Sequence, residues 1–275
     1  MTDGRVLRLE GIEERYERYK EKIKNYTIMD DIFMRNVLKE QGCTEYMLQV
    51  IMNQKDLQVV EQTLQKDYKN LQGRSAILDC VARDERARQF NVEIQGDNEG
   101  ASPERARYHS CLLDMNILSP REPFTGLPET YIIFITRNDV LGYDRIICHI
   151  TRKVEEEGKD FGDGSHIIYV NSKKREDTEL GKLMHDLHCK ESGEMHSKIL
   201  ARRVRELKET EKGVSEMCRD MEEIYGEGME EGERKKARET VLSLAELKMS
   251  EEQISQIVKM PLEVVQGWIE ESLAI

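Results

Sequence analysis

Two short apolar segments joined by a charged connection constrain the fold of this chain more than any other feature. Residues 74–83 (RSAILDCVAR) form an apolar run with one interior acid, and residues 89–95 (QFNVEIQ) alternate strictly between polar and apolar. Both patterns are typical of β-strands, and strict alternation indicates a strand with one buried face. Residues 84–88 between them are charged except for Ala87, so we expect a tight, solvated hairpin connection.

The surrounding segments predict helices packed around a sheet. Apolar residues recur at helical spacing in some segments, and short β-branched runs such as YIIFIT occur in others. The order of helix, hairpin strands, helix and strand predicts an α/β fold with a mixed sheet flanked by helices. Helices are predicted near residues 27–42, 44–52 and 103–118, and further strands within 57–69, 131–136, 146–150 and 167–170.

Composition divides the chain into four predicted segments. Residues 1–26 are a charged, peripheral N-terminal helix, and residues 27–200 are the α/β core. Residues 201–232 are a charged helical linker that ends in a glycine-containing hinge, because glycines weaken helices. Residues 233–275 form a small helical module, in which Ser250 and Gln253 make a capping box. We expect this module to serve packing or homo-oligomerisation rather than DNA reading, because its last helix is acidic.

Charge and apolar content bound the function. With 54 acidic and 42 basic residues the net charge is −12, which argues against a surface that coats nucleic acid broadly. Local basic clusters are still compatible with DNA binding at a single site. No run approaches the roughly 20 apolar residues that cross a membrane, and residues 1–10 lack a signal-peptide pattern, so we expect a cytoplasmic protein without a membrane partner. The basic clusters lie at residues 74–88, 105–107 and 198–205.

Three polar side chains suggest a metal site on the predicted hairpin. Alternation places Glu93 and Gln95 on the same face of their strand. If Asp79 points the same way from the neighbouring strand, two carboxylates and an amide converge, and a divalent cation would relieve their repulsion. Oxygen ligands suit Mg²⁺, which can activate water for phosphodiester hydrolysis. The Gln95 amide can orient water or phosphate but cannot act as a base.

The segment from Asp79 to Gln95 resembles the D-x(n)-E-x-K signature of the PD-(D/E)xK nuclease superfamily. It is similar to the transposase-associated branch, the recombination-promoting nucleases, in which Gln often replaces the Lys. The stretches at 29–38, 104–114 and 131–136 also fit that branch, and the resemblance covers residues 27–190. It implies a restriction-endonuclease-like core and Mg²⁺-dependent cleavage of DNA in recombination or mobile elements, with Mn²⁺ as a substitute ion.

The resemblance also implies residue roles. Asp79, Glu93 and Gln95 are the catalytic residues, and Asp79, Glu93 and the carbonyl of Ile94 are the metal ligands. The Gln at position 95 departs from the Lys of the wider superfamily. The alternatives are a strand-end acid bonded to a loop amide for Asp79, and an exposed strand face for Glu93 and Gln95.

Four further residues are candidates near the site. Arg105 and Tyr108 share a helix face at i and i+3 and can contact phosphate, as can Arg74. Asp31 can add a carboxylate just outside the metal ligands. A surface ion pair for Arg105, a half-buried Tyr108 and a helix-start role for Asp31 are the competing interpretations.

Two wider alternatives remain open. The chain can be a catalytically inactive member of this fold that binds DNA or protein, or a nuclease that cleaves RNA. A group of metal-binding residue types also occurs late in the chain, but its spacing differs from that of zinc fingers, and a polar helix is the preferred interpretation. These residues are His185, His188, Cys189 and His196.

Overall fold

The computed structural model of this chain describes residues 11–68, 75–96 and 98–273. The chain forms two compact units, one ending at Cys218 and one beginning at Arg219. The four-segment division predicted from composition stays a prediction. Arg74 lies outside the described residues.

The first unit contains a sheet and its flanking helices. The helices are α1 (Ile12–Asn25), α2 (Asp31–Leu38), α3 (Gln41–Ile51), α4 (Pro103–Met115), α5 (Glu179–Asp186) and α6 (Lys198–Glu209). The strands are β1 (Val59–Tyr68), β2 (Ala76–Asp84), β3 (Gln89–Gln95), β4 (Thr130–Thr136), β5 (Ile147–Ile150), β6 (Lys153–Val154), β7 (Lys159–Asp160) and β8 (Ser165–Asn171). Helix α7 (Glu211–Glu246) then leads into α8 (Glu251–Val258) and α9 (Leu262–Leu273).

The main sheet is mixed, as the sequence predicts. Its six strands are ordered β1-β2-β3-β4-β8-β5, and β6 pairs with β7 in a separate ribbon. Strands β1, β2 and β3 pair antiparallel, β3, β4 and β8 pair parallel, and β5 returns antiparallel to β8. This arrangement confirms the prediction of an α/β, restriction-endonuclease-like fold.

Helices cover both faces of the sheet. Helix α4 packs on the face that carries Val81, Ile132 and Phe134, which belong to one buried apolar cluster. On the opposite face, the hydroxyl of Thr44 in α3 lies 3.9 Å from the Cys80 sulfur. Burial on both sides explains why the central strand β4 is almost continuously apolar.

The connection between β2 and β3 is pinned by a buried ion pair. Asp84 Oδ1 accepts hydrogen bonds from the backbone N–H groups of Arg86 and Arg88, at 3.0 and 2.9 Å. The Arg88 guanidinium donates to Asp84 Oδ2 at 2.7 Å, and these two residues are only 7% and 1% exposed. Ala87 adopts φ of 62°, in the left-handed region. The prediction of a wholly solvated connection is therefore wrong at both of its ends.

The three glycines predicted to form a hinge do not interrupt the helix. Gly226, Gly228 and Gly232 all lie within α7. In the second unit, the capping box of Ser250 and Gln253 is present at the start of α8 as predicted. The apolar cluster of this unit includes Val241, Ile254, Val265 and Trp268. Within the described ranges, no helix has the length and apolar content to cross a membrane.

Replacing Asp84 with Ala tests the role of the buried pair. Removal leaves the Arg88 guanidinium buried without its counter-charge, so we expect the free energy of unfolding to fall by about 3–5 kcal/mol. The matched control is Glu61→Ala, which removes the exposed partner of Arg83 and should cost less than about 1 kcal/mol. Urea denaturation of both variants measures the difference. Equal losses would contradict a special role for Asp84.

Candidate active site

The β2–β3 register brings Asp79 and Glu93 together. Cys80 pairs with Val92 in this antiparallel ladder, so one further step places Asp79 opposite Glu93. Residues opposite one another in such a ladder point to the same face of the sheet. The backbone N–H of Asp79 donates to Glu93 Oε1 at 3.2 Å. The two predicted acidic residues are therefore neighbours on the face that α4 covers.

The Glu93 side chain is buried, and one of its two carboxylate oxygens accepts no hydrogen bond from the described residues. Its side chain is fully buried, so the exposed-face alternative is wrong for this residue. Oε1 accepts hydrogen bonds from Asn91 Nδ2 at 3.0 Å and from the Asp79 backbone. Among the described residues, Oε2 has no hydrogen-bond partner, and the Arg105 guanidinium lies 3.6 Å away. A buried carboxylate oxygen without a partner is costly, which makes Oε2 available to a cation.

Asp79 is held by a side chain from the neighbouring strand. Gln65 Nε2 in β1 donates to Asp79 Oδ1 at 3.1 Å, so its amide partner comes from a strand rather than from a loop. Burial, together with the Glu93 carboxylate, raises the pKa of Asp79 to about 7. Near neutral pH without a cation, this carboxyl group is therefore partly protonated.

Helix α4 contributes a chain of contacts to Glu93. Arg105 and His109 lie one turn apart, and Arg105 Nε donates to His109 Nε2 at 3.2 Å. Because a guanidinium can only donate, His109 Nε2 is the acceptor in this contact, and the other ring nitrogen, Nδ1, faces Glu93. That nitrogen lies 3.5 Å from Glu93 Oε1. The imidazole thus connects Arg105 to the acid from within the buried face.

Sequence reasoning missed Gln65, Asn91 and His109. Asn91 had a signal, since it lies two residues before Glu93 and shares its strand face. His109 had a weaker one, because it follows Arg105 by four residues on the same helix face. Gln65 had none, because its contact depends on the β1–β2 register, with Gln65 at φ of 50° opposite Asp79.

Gln95 lies at the end of β3 and shares the face of Glu93 by alternation. Its amide packs against Gly100, in the 3₁₀ turn Asn98–Ala101, where an added Cβ would clash with the amide oxygen. Gly100 therefore leaves the space that this amide occupies. The Ile94 side chain is buried, and the role of its carbonyl as a ligand stays a prediction.

The remaining predicted residues lie at different distances from the acids. Asp31 is exposed and accepts two hydrogen bonds from the Arg35 guanidinium, at 3.0 and 2.6 Å, although its charge contributes to the raised pKa of Asp79. Tyr108 is half-buried and packs against the apolar cluster beneath α4. The structure thus brings Arg105, but not Asp31, into direct proximity with Glu93.

The basic cluster near the hairpin is largely neutralised. Three arginines that the sequence placed beside the site each pair with an acid, which reduces the positive charge they can offer to a phosphate backbone. These pairs are Arg83 with Glu61, Arg86 with Asp56 and Arg88 with Asp84.

The residues present fit a divalent cation. Two adjacent carboxylates form a hard-oxygen donor set of the kind that Mg²⁺ and Mn²⁺ accept, and one of them has a buried oxygen that accepts no hydrogen bond within the described part of the chain. The Gln95 amide lies on the same strand face, two residues after Glu93.

A family model described as PD-(D/E)XK nuclease family transposase matches residues 44–237. The chain belongs to this family. The matched span contains Asp79, Glu93 and Gln95, and the predicted family resemblance is confirmed. Membership indicates a nuclease related to transposition or recombination, in a family that typically uses divalent metals. Comparison with curated proteins gives no match, and neither does comparison with solved structures.

The raised pKa of Asp79 predicts a pH-dependent stability effect in protein stripped of metal. The folded pKa of about 7 exceeds the ordinary 3.8, so the stabilising contribution of the protonated carboxyl group is lost as pH rises through 7. Asn is neutral throughout. We expect the unfolding free energy of Asp79→Asn, relative to that of the wild type, to rise between about pH 4 and about pH 7 and to stay constant above about pH 8.

Urea denaturation in EDTA across this pH range measures this difference. The control is Glu61→Gln, an exposed acid on β1, for which we expect a nearly constant difference from the wild type. If the difference in unfolding free energy between Asp79→Asn and the wild type does not change with pH, the pKa assigned to Asp79 is contradicted.

Proposed function

We propose that this chain is a Mg²⁺-dependent DNA endonuclease that acts in recombination or in the movement of mobile elements. The observation that carries the proposal is the buried Glu93 Oε2, which has no hydrogen-bond partner among the residues that the structure describes, beside the Asp79 carboxyl group. Asp79 and Glu93 are the metal ligands, with the Ile94 carbonyl as a further ligand. Mn²⁺ is the expected substitute ion, because both ions prefer oxygen ligands.

A bound cation supplies an activated water and stabilises charge that develops on the scissile phosphodiester. The protein supplies the rest. Ionised Asp79 and Glu93 provide two negative charges on one buried face, and Asn91 together with the Asp79 backbone N–H fixes Glu93 Oε1. A proton and a metal ion compete for the Asp79 carboxylate, and the pKa of this group is raised to about 7. We therefore expect metal affinity to fall as pH drops below about 7.

Gln95 and Arg105 complete the proposed site. The Gln95 amide orients the attacking water or a phosphate oxygen, and it leaves proton removal to other groups because an amide is no base. Arg105 is the phosphate-binding residue that the geometry supports best, since its side chain is 39% exposed and its guanidinium is oriented by His109. A planar guanidinium suits phosphate oxygens.

Three further roles are proposed on the sequence alone. Arg74 and Tyr108 are additional phosphate contacts, and Asp31 adds negative charge outside the ligands. The cytoplasmic location and self-association through the C-terminal helices are proposals of the same kind.

Plasmid nicking in Mg²⁺ or Mn²⁺ tests the proposed reaction. We expect the wild-type protein to nick supercoiled DNA, and Asp79→Asn and Glu93→Gln to lose activity by about 100-fold or more, because each removes a metal ligand. The matched control is Asp114→Asn, a partly buried acid at the far end of α4, which should retain activity.

The other outcomes discriminate between the alternatives. Nicking that persists in both active-site variants would assign the activity to a contaminant. A wild type that is inert on DNA and RNA would favour a catalytically inactive member that binds DNA or protein. Cleavage of RNA alone would keep the catalytic residues and overturn the choice of DNA.

The packing of Gln95 on Gly100 yields a separate test. A methyl group at position 100 displaces the Gln95 amide, so Gly100→Ala should lower kcat to the same extent as Gln95→Ala, by about 10- to 100-fold. Gly126→Ala, in another 3₁₀ turn where the new methyl makes only ordinary contact, should leave kcat unchanged. An active Gly100→Ala beside an inactive Gln95→Ala would show that the amide position is not important.

A further inference from the structure

A second group of metal-binding residue types meets at the end of α5. Ligand atoms of His185, Asp186 and His196 all lie within 4.8 Å of one another. The sequence favoured a single polar helix here, and that interpretation is wrong. Helix α5 ends at Asp186, and the chain passes through the 3₁₀ turn Ser192–Glu194 before His196. This turn, rather than helical spacing, brings the two histidines together.

Asp186 holds the returning segment in place without a metal. Its carboxylate is fully buried and accepts the backbone N–H of His196 at 2.8 Å and that of Ser197 at 2.7 Å. The ring centroids of His185 and His196 are 4.8 Å apart. Because the protein itself positions both histidines, little further conformational entropy would be lost when they bind a ligand.

Cys189 offers a soft ligand next to His185, although its sulfur does not lie within 4.8 Å of all three other ligand atoms. It follows His185 by four residues, and its sulfur lies 3.4 Å from His185 Nδ1. Zinc bond lengths of roughly 2.0–2.1 Å to nitrogen and 2.3 Å to sulfur place two such ligands about 3.5 Å apart in a tetrahedron. The His185–Cys189 separation therefore already matches one edge of a tetrahedral site.

We propose that His185, Asp186, Cys189 and His196 bind one borderline transition-metal ion of the Zn²⁺ type. Two imidazoles and a thiolate favour Zn²⁺ over Mg²⁺, which prefers oxygen ligands. The Asp186 carboxylate and a Cys189 thiolate, whose proton the ion displaces on binding, would balance the double positive charge. Each Asp186 oxygen has a lone pair beyond the one that accepts a backbone N–H, so it can ligate without losing its hydrogen bonds.

The proposed ion has a structural role. Bound there, it would join the end of α5 to the residue two positions before α6 and close the intervening segment, residues 187–195. It shares no ligand with the active site, and its ligand chemistry is different. Binding to the folded chain alone would raise its stability by mass action.

Cobalt titration of the full-length protein tests the site. Tetrahedral Co²⁺ absorbs visible light, and a cysteine thiolate adds a charge-transfer band in the near ultraviolet. We expect both bands in the wild type, at one ion per chain. His196→Ala should weaken binding by at least about 10-fold, and it should fold normally because His196 is exposed. Cys189→Ala should remove the charge-transfer band.

Two controls separate this site from the rest of the protein. His149→Ala removes an exposed histidine of β5 and should leave both bands intact, as should the double variant Asp79→Asn, Glu93→Gln. Zn²⁺ should raise the Tm of the wild type but not that of His196→Ala. The proposal is overturned if the wild type shows no tetrahedral Co²⁺ spectrum, if His196→Ala keeps it, or if the active-site variant loses it.

Discussion

The buried pair of Asp84 and Arg88 is the constraint on which the active site depends. It pins the connection between β2 and β3, and that connection sets the register that places Asp79 opposite Glu93. A slip of one residue would turn every side chain of a strand to the other face of the sheet. The two acids would then lie on opposite sides, and no cation could bridge them. The geometry of the site therefore depends on a turn several residues away.

The second constraint is the cost of holding two carboxyl groups on one buried face. Several local features reduce this cost. Asp79, whose pKa is raised to about 7, retains its proton up to about that pH, and Glu93 Oε1 accepts two hydrogen bonds. Arg105 offers a positive charge, oriented through His109. Glu93 Oε2 lies 3.6 Å from the Arg105 guanidinium but accepts no hydrogen bond from the described residues. The proposed nuclease reaction requires a cation beside this oxygen, and such a cation would stabilise both the fold and the reaction.

The two proposed metal sites differ in ligand chemistry and in construction. The active site uses carboxylates and amides on neighbouring strands, which suit Mg²⁺ and leave coordination positions for water and substrate. The group around Asp186 uses imidazole and thiol ligands on a turn between two helices, which suits an ion with a structural role. A cell that supplies both ions would load each site according to its ligands, since nitrogen and sulfur disfavour Mg²⁺.

The sequence by itself determined the local elements and the candidate acids. Alternation in residues 89–95 was sufficient to put Glu93 and Gln95 on one face, because side-chain direction in a strand follows from the backbone alone. Tertiary structure decided the rest. The contact of Gln65 with Asp79, the pairing of the hairpin arginines and the meeting of His185 with His196 join residues through sheet register and chain reversal. Such contacts depend on how elements pack, and no local pattern encodes that packing.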